Sequence, residues 1–409
     1  MGFDRIERVL SADLEARTQA GRRKQAEAVI VGVLPAEAER GPRFLLAGEG
    51  DRPFLRMNAN GYLGLGHDPD VIAAEERASR AFGVGPEAVR FISGTFAPHV
   101  ELEAKLARFH DREAAMIYSS AYAAVMGILP QLIDDQTAVL SDELNHNCII
   151  NAIRLSEPRF KRVYPHLDMD ALEAGLEQAA ETCDRAIVVT DGVFSMRGDH
   201  APLDRIIALA QAFDARFSQN VIVVVDDSHG VGALGESGRG VEQVTGARAD
   251  ILIATLGKAL GVNGGYVVGS ATLVEFLRET SPFYIYSNPI TPGEAAAASC
   301  SLEILDSAEG RRRIAHVHAM TERFREGLAR LGHETLRGEH PVVPLMVREA
   351  TRTRALVRHL RSCGVLATGL HFPVVPEGED KIRFQISSDH TPYDIDEALA
   401  ALASFPVEG

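Results

Sequence analysis

The middle of the chain carries five short, continuous apolar runs, at residues 115–118, 137–140, 186–190, 221–225 and 251–254. None alternates with polar residues, which is what strands buried on both faces require. Segments with helical spacing lie between or beside them, at 100–110, 172–180 and 203–213. Strand and helix in alternation predict an α/β fold with a mostly parallel sheet covered by helices. Upstream, Ile6, Val9, Leu10 and Leu14 recur at helical intervals, and residues 3 to about 30 read as a surface helix that packs on the body of the protein or on a second subunit. Prolines and glycines at 34–42 break that pattern before a short strand at 54–57. A glycine-rich loop follows at 58–66, then a helix opened by Asp68 as N-cap and Pro69 at its first position. Beyond Pro289 and Pro292 the pattern changes to helices at 294–305 and 314–331 with short strands at 342–346 and 382–386. The expected organisation is an N-terminal helical segment and linker (1–55), a large domain (56–289) and a smaller α+β domain (290–409).

Composition narrows the function. With 409 residues, 46% of them hydrophobic and 24% charged, the chain has the balance of a soluble globular protein. A net charge of -15 argues against nucleic-acid binding and means that an anionic substrate needs local cations. Cys148, Cys183, Cys300 and Cys363 show neither metal-type spacing nor a disulfide framework, so they are read as reduced thiols of a cytoplasmic protein. No run of about eighteen apolar residues suggests a membrane span.

Two strand ends carry the candidate chemistry. The run 251–254 leads into Thr255-Leu-Gly-Lys258-Ala-Leu-Gly, a lysine in a turn of small residues that lets a bulky cofactor approach the backbone. An ordinary lysine, with a pKa of about 10.4, is protonated near neutrality, so a nucleophilic one needs burial, a nearby cation or a Schiff base. The run 221–225 leads into Asp226-Asp-Ser-His229-Gly. Asp226 or Asp227 could cap the next turn, and Asp227 is read as structural. A carboxylate at a buried strand end otherwise demands a cationic partner, and a protonated pyridine nitrogen beside a lysine Schiff base would be one.

Taken together, Asp226-Asp-Ser-His229-Gly, Thr255-Leu-Gly-Lys258-Ala-Leu-Gly, Thr190-Asp-Gly-Val-Phe-Ser195-Met and Ser141-Asp-Glu-Leu-Asn-His146 resemble the α-oxoamine synthases, fold-type I pyridoxal phosphate enzymes. The likeness covers roughly residues 55–400. Arg90-Phe-Ile-Ser-Gly-Thr95, Ser237-Gly-Arg-Gly240, Ser287-Asn288 and Pro373-Val-Val-Pro376 with Arg383-Phe-Gln-Ile-Ser are most similar to the glycine C-acetyltransferase branch. The resemblance implies that Lys258 forms the Schiff base and moves the α-proton, that Asp226 keeps the ring nitrogen protonated, that His229 and Ser195 bond the phenolic oxygen, and that His146 stacks on the ring. It implies that Ser120, with the amides of Ala121 and Tyr122 at a helix N-terminus, and Thr255 hold the phosphate. Ser287 and Asn288 match the segment that the family contributes from a neighbouring subunit, implying a homodimer. Asn60 and Arg383 match the holders of the amino-acid carboxylate, a task suited to the planar guanidinium. The substrates so implied are a small amino acid, glycine first, and an acyl-CoA. The alternatives are a decarboxylating α-oxoamine synthase, an aldolase or aminotransferase of the same fold type, and a cofactor-holding scaffold without catalysis. The sequence departs from the family pattern at Val125, Arg197, Gly61 and Leu370-His371-Phe372.

Overall fold

The structure is a computed structural model and describes residues 2–19, 23, 27–372 and 374–406. Its centre is a seven-stranded sheet of β1 (Ala114–Tyr118), β2 (Thr137–Asp142), β3 (Phe160–Tyr164), β4 (Arg185–Asp191), β5 (Val221–Asp226), β6 (Ile251–Thr255) and β7 (Gly265–Gly269). The spatial order is β1-β7-β6-β5-β4-β2-β3, parallel except for β7, which runs antiparallel to both neighbours. The five apolar runs become β1, β2, β4, β5 and β6, the expected mostly parallel α/β sheet. Two strands lack that signature. β3 is an edge strand whose alternate residues meet solvent, and β7 is only Gly-Tyr-Val-Val-Gly.

Packing follows from the same pattern. The helix Ala121–Leu132 is apolar nearly all round and buries Ala124, Val125, Ile128 and Leu129 against one face of the sheet, so Val125 is a core residue. Helices Met169–Ala179 and Leu203–Phe213 cover the other face, where Leu172, Leu176, Leu203 and Ile206 meet Leu140, Val188 and Val223. The helix Pro69–Phe82 begins as expected: the Asp68 side chain accepts from Asp70 N–H, and proline opens the first turn.

A second, four-stranded antiparallel sheet combines Glu334–Thr335, Val342–Met346, Lys381–Gln385 and Thr368–Leu370. Helices Ala308–Arg330, Ala350–Ser362 and Pro392–Ala403 bury Phe324, Leu356, Leu360 and Ile395 against it, with the Phe324 and Phe384 ring centroids 5.0 Å apart. The short strand Leu55–Arg56 pairs in parallel with Val365–Leu366, and Leu55 and Met57 enter this C-terminal core. Helix Pro292–Leu305 packs instead on Pro69–Phe82 and Ala97–Phe109.

The N-terminal expectation needs correction. The helix is Asp4–Gln19, and by Ile30 the chain has become a strand, Ile30–Leu34, paired with Arg43–Leu46. Residues 20–22 and 24–26 of the expected helix lie outside the described residues. No residue of Asp4–Gln19 is buried, so within this chain the helix does not pack on the body. No described helix is long and apolar enough to cross a membrane.

Candidate active site

The carboxyl ends of β2, β4, β5 and β6 open toward one edge of the sheet, the usual place for ligands in open α/β folds. Asp191 at the end of β4 and Asp226 at the end of β5 are partners in register. A cavity of about 230 Å³ at this edge is lined by Ser120, Ala121, Tyr122, His146, Cys148, Asp191, Val193, Ser195, Asp226, Ser228, His229, Thr255 and Lys258. Every cofactor-site residue expected from the sequence, apart from Ser287 and Asn288, is therefore in one place. Those two lie on the loop after the helix Pro282–Ile285 and do not line this cavity.

At one end of the cavity, the N–H groups of Ala121 and Tyr122 have no acceptor among the described residues. The third amide of that turn, Ala123 N–H, donates to Ser120 Oγ at 3.0 Å. Gly265 allows the helix to start there: a Cβ on it would lie 2.1 Å from Ala121 N. Thr255 Oγ donates to Gly264 O and accepts from Gly257 N–H, fixing the hydroxyl at the same strand end. Gly261 has another role than expected. Its φ is +71°, and its missing Cβ would strike Gly66 N at 2.3 Å, so it serves contact with the 58–66 loop.

The same cavity is lined by charges. Asp226 is buried, accepts from Ser228 N–H at 3.1 Å, and has no cationic partner within 4 Å among the described residues. Lys258 likewise has no ion pair among them, and burial lowers its pKa although Asp226 and Asp191 pull the other way. Burial, then the neighbouring Asp226 charge, pushes Asp191 well above the usual carboxylate range. Asp191 accepts from His146 N–H at 3.1 Å, while Asn145 bonds Asp191 N–H and Val189 O, pinning the 142–146 turn over β4.

The two histidines are held from behind. His146 caps the helix Asn147–Arg154; its Nδ1 accepts from Cys148 N–H at 3.3 Å and lies 2.9 Å from Cys148 Sγ, which is 3.7 Å from Asp226 Oδ2. His229 Nδ1 is 2.7 Å from Tyr62 Oη, and His229 O is 2.8 Å from His340 Nε2. Burial is the main cause lowering the pKa of both His146 and His229, which favours the neutral form of both rings. Asp227 is structural: it is buried, and Oδ2 accepts from Val241 N–H at the start of the next helix.

Asn60 lines an adjoining cavity of about 500 Å³ that reaches the same Lys258. Arg383 is half-buried and pairs with no carboxylate among the described residues; it donates to Ser195 O at 3.0 Å. Of the two orientations of the Gln385 amide, the one with its oxygen toward Arg383 accepts from Nε at 3.0 Å and Nη2 at 2.8 Å. Arg197 pairs with Asp199 at 2.7 Å, which also accepts from His166, so this departure braces the turn that carries Ser195. Pro373 lies outside the described residues.

Sequence reasoning missed Tyr62, Cys148, Asp191, His340 and Gln385. Asp191 ends an apolar run just as Asp226 does, and that signal was present. Tyr62 and His340 carried none, because only folding brings them to His229.

These residues fit pyridoxal phosphate. An unpaired buried carboxylate suits a pyridinium nitrogen, two free amides at a helix N-terminus suit a phosphate, and a half-buried lysine lines the same cavity. The sequence model of aminotransferase class I and II matches residues 52–402. Human mitochondrial 2-amino-3-ketobutyrate coenzyme A ligase is 40% identical, over 96% of this chain and 90% of that protein. The 8-amino-7-oxononanoate synthase of Geobacter sulfurreducens is 41% identical, over 86% and 88%. Among solved structures, Sphingomonas wittichii serine palmitoyltransferase superposes with a TM-score of 0.87 at 26% identity, covering 99% of this chain and 98% of that one. A second, SPT with its PLP internal aldimine, gives 0.85 at 25% identity over 98% and 96%. The chain thus belongs to the aminotransferase class I and II family and, within it, to the α-oxoamine synthases, fold-type I enzymes that work with pyridoxal phosphate.

Proposed function

We propose that the protein condenses a small amino acid, glycine first, with an acyl-CoA thioester to give an α-amino ketone and free coenzyme A. The observation that carries this is the position of Lys258 between two spaces: one built for the cofactor, the other lined by Asn60, with Arg383 lacking a carboxylate partner nearby. When bound, pyridoxal phosphate acts as the electron sink that acidifies the amino acid's Cα–H. Asp226 holds the ring nitrogen protonated, the amides of Ala121 and Tyr122 with Ser120 and Thr255 take the phosphate, and His146 covers the ring face. His229 and Ser195 address the phenolic oxygen. Arg383 and Asn60 hold the amino-acid carboxylate and so orient Cα–H toward Lys258, whose burial-lowered pKa favours the free amine that removes the proton. Cα then bonds to the thioester carbon, and coenzyme A leaves as its thiol after protonation.

Relatives named 2-amino-3-ketobutyrate coenzyme A ligase and 8-amino-7-oxononanoate synthase match at similar identity, so loss of the carboxyl group as carbon dioxide is the second reading. The deciding experiment is coenzyme A release from a panel of amino acids crossed with short and long acyl-CoAs, with carbon dioxide measured in parallel. Release with glycine and no carbon dioxide supports the first reading, carbon dioxide in step with coenzyme A supports the second, and turnover without coenzyme A release leaves the aldolase or aminotransferase alternative.

The same proposal includes a homodimer in which Ser287 and Asn288 reach the partner's cofactor. It is supported by the exposed apolar residues Val9, Val84, Phe91, Ile92 and Tyr286, which lie on the N-terminal helix, the 83–95 stretch and the segment before Ser287. It also includes a cytoplasmic location and domains at 56–289 and 290–409, to be tested by cell fractionation and limited proteolysis.

A further inference from the structure

Three buried rings that the proposed chemistry leaves unused or half used meet behind the cofactor cavity: Tyr62, His229 and His340. Tyr62 is fully buried, and burial raises its pKa, so the phenol keeps its proton and needs an acceptor. Its neighbours are His229 Nδ1 at 2.7 Å and the Asn60 side-chain amide at 3.5 Å. The second distance is too long for a normal O–H···O bond. With Gln385 oriented so that its oxygen accepts from Arg383, that oxygen lies 3.1 Å from the same Asn60 atom, which must then be the amide nitrogen, a donor. That leaves His229 Nδ1 as the acceptor for the Tyr62 proton.

An imidazole that accepts at Nδ1 and is neutral must carry its proton on Nε2. His229 Nε2 has no partner among the described residues, and His229 lines the cofactor cavity. The backbone cannot slip away from this arrangement. His340 accepts Val342 N–H at Nδ1, so its own proton is on Nε2 and is donated to His229 O at 2.8 Å. Arg325, buried and without an acidic partner among the described residues, donates to the carbonyls of Gly338, His340 and Val342 and thereby fixes the segment bearing His340. The Tyr62 ring stands edge-on to His340, with centroids 5.2 Å apart.

We infer that Tyr62 is a positioning residue that locks His229 as the neutral Nε2–H tautomer, with His340 holding its backbone, so that His229 meets the cofactor's phenolic oxygen always as a donor. The inference rests on the reading that His229 faces that oxygen, and it assigns to Tyr62 a function exerted through another residue. Holoenzyme labelled with ¹⁵N-histidine tests it directly, the His229 signals being those missing from His229→Gln. The expected wild-type result is a protonated Nε2 and an unprotonated Nδ1. Tyr62→Phe keeps the ring on His340 but deprives Nδ1 of its donor; the Nδ1-protonated form should then appear, the long-wavelength cofactor band should lose intensity to the short-wavelength one, and kcat should fall about tenfold, the factor that ~1.4 kcal/mol represents. A wild-type His229 protonated on Nδ1 would overturn the inference even if the variant failed to fold. An unchanged tautomer and unchanged bands in Tyr62→Phe would do the same. Purified protein that takes up no pyridoxal phosphate would instead count against the cofactor reading, while the wild-type imidazole signals still report the tautomer.

Discussion

At the scale of single residues, the site combines groups held by the chain, such as His229 and Thr255, with two that find no ion pair among the described residues. Asp226 is buried and Lys258 half-buried at strand ends, both without an ion pair among the described residues, so a ligand that pairs with them would relieve the cost of desolvation. Lys258→Ala should therefore give protein whose visible cofactor absorbance can be dialysed away, with turnover lower by at least ~10³-fold, within the usual range for losing a general base. A dialysis-resistant band would refute the assignment. Arg383 differs, since its proposed partner is the substrate: Arg383→Ala should raise KM for the amino acid roughly 10- to 100-fold, the worth of a charged hydrogen-bonded contact, and leave cofactor absorbance intact. The residues legible in the sequence were those that follow an apolar run or sit in a short motif, such as Lys258, Asp226 and His229. Tyr62, His340 and Gln385 act through contacts between distant segments, and local pattern carries no trace of them.

At the scale of elements, the continuous Val and Ile runs were readable because both faces of their strands are buried. β3 and β7 were not: one alternates at the sheet edge, and the other is bracketed by glycines. The N-terminal helix was overextended because helical spacing persists in sequence past Gln19, where the chain goes on to a strand at Ile30. β7 also shows how an element sets the site. Gly265→Ala forces a methyl to within 2.1 Å of Ala121 N and displaces the helix start proposed to hold the phosphate. Cofactor affinity should fall at least ~10-fold in a titration followed by absorbance, with a lower Tm as well. A second prediction concerns the link between β3 and the Ser195 turn. His166, just after β3, bonds Asp142 and Asp199; burial alone would lower its pKa, but the two carboxylates outweigh it and raise it to about 9. A raised histidine contributes stability fully below its unfolded pKa of about 6.5 and loses it as pH climbs through about 9. His166→Gln should thus be less stable than wild type by about 2 kcal/mol at pH 6, allowing for the partial exposure of Asp199, and the gap should close above pH 9. A gap independent of pH, measured by denaturant unfolding, would show that the histidine is not charged.

For the whole molecule, the features without a role in one chain point the same way. Asp4–Gln19 buries none of its residues, Tyr286 is 80% exposed beside Ser287 and Asn288, and Phe91 and Ile92 are 66% and 68% exposed. Covering apolar side chains this exposed with a second surface is favourable in water. A second copy would supply that surface and, if Ser287 and Asn288 cross over, would give each site residues from both chains. Shared sites make a sharp prediction. Lys258→Ala and a Ser287→Ala/Asn288→Ala double variant should each be nearly inactive alone, since every site in either homodimer lacks one contribution. Unfolded together and refolded, they should form mixed dimers in which one site carries both defects and the other carries none. Random pairing makes half the dimers mixed, so activity should recover to roughly a quarter of wild type. Sites contained within single chains would give no recovery, because no chain in the mixture is intact. A truncation lacking residues 1–19 should weaken the dimer in sedimentation without abolishing the fold, since that helix adds nothing to the core of its own chain.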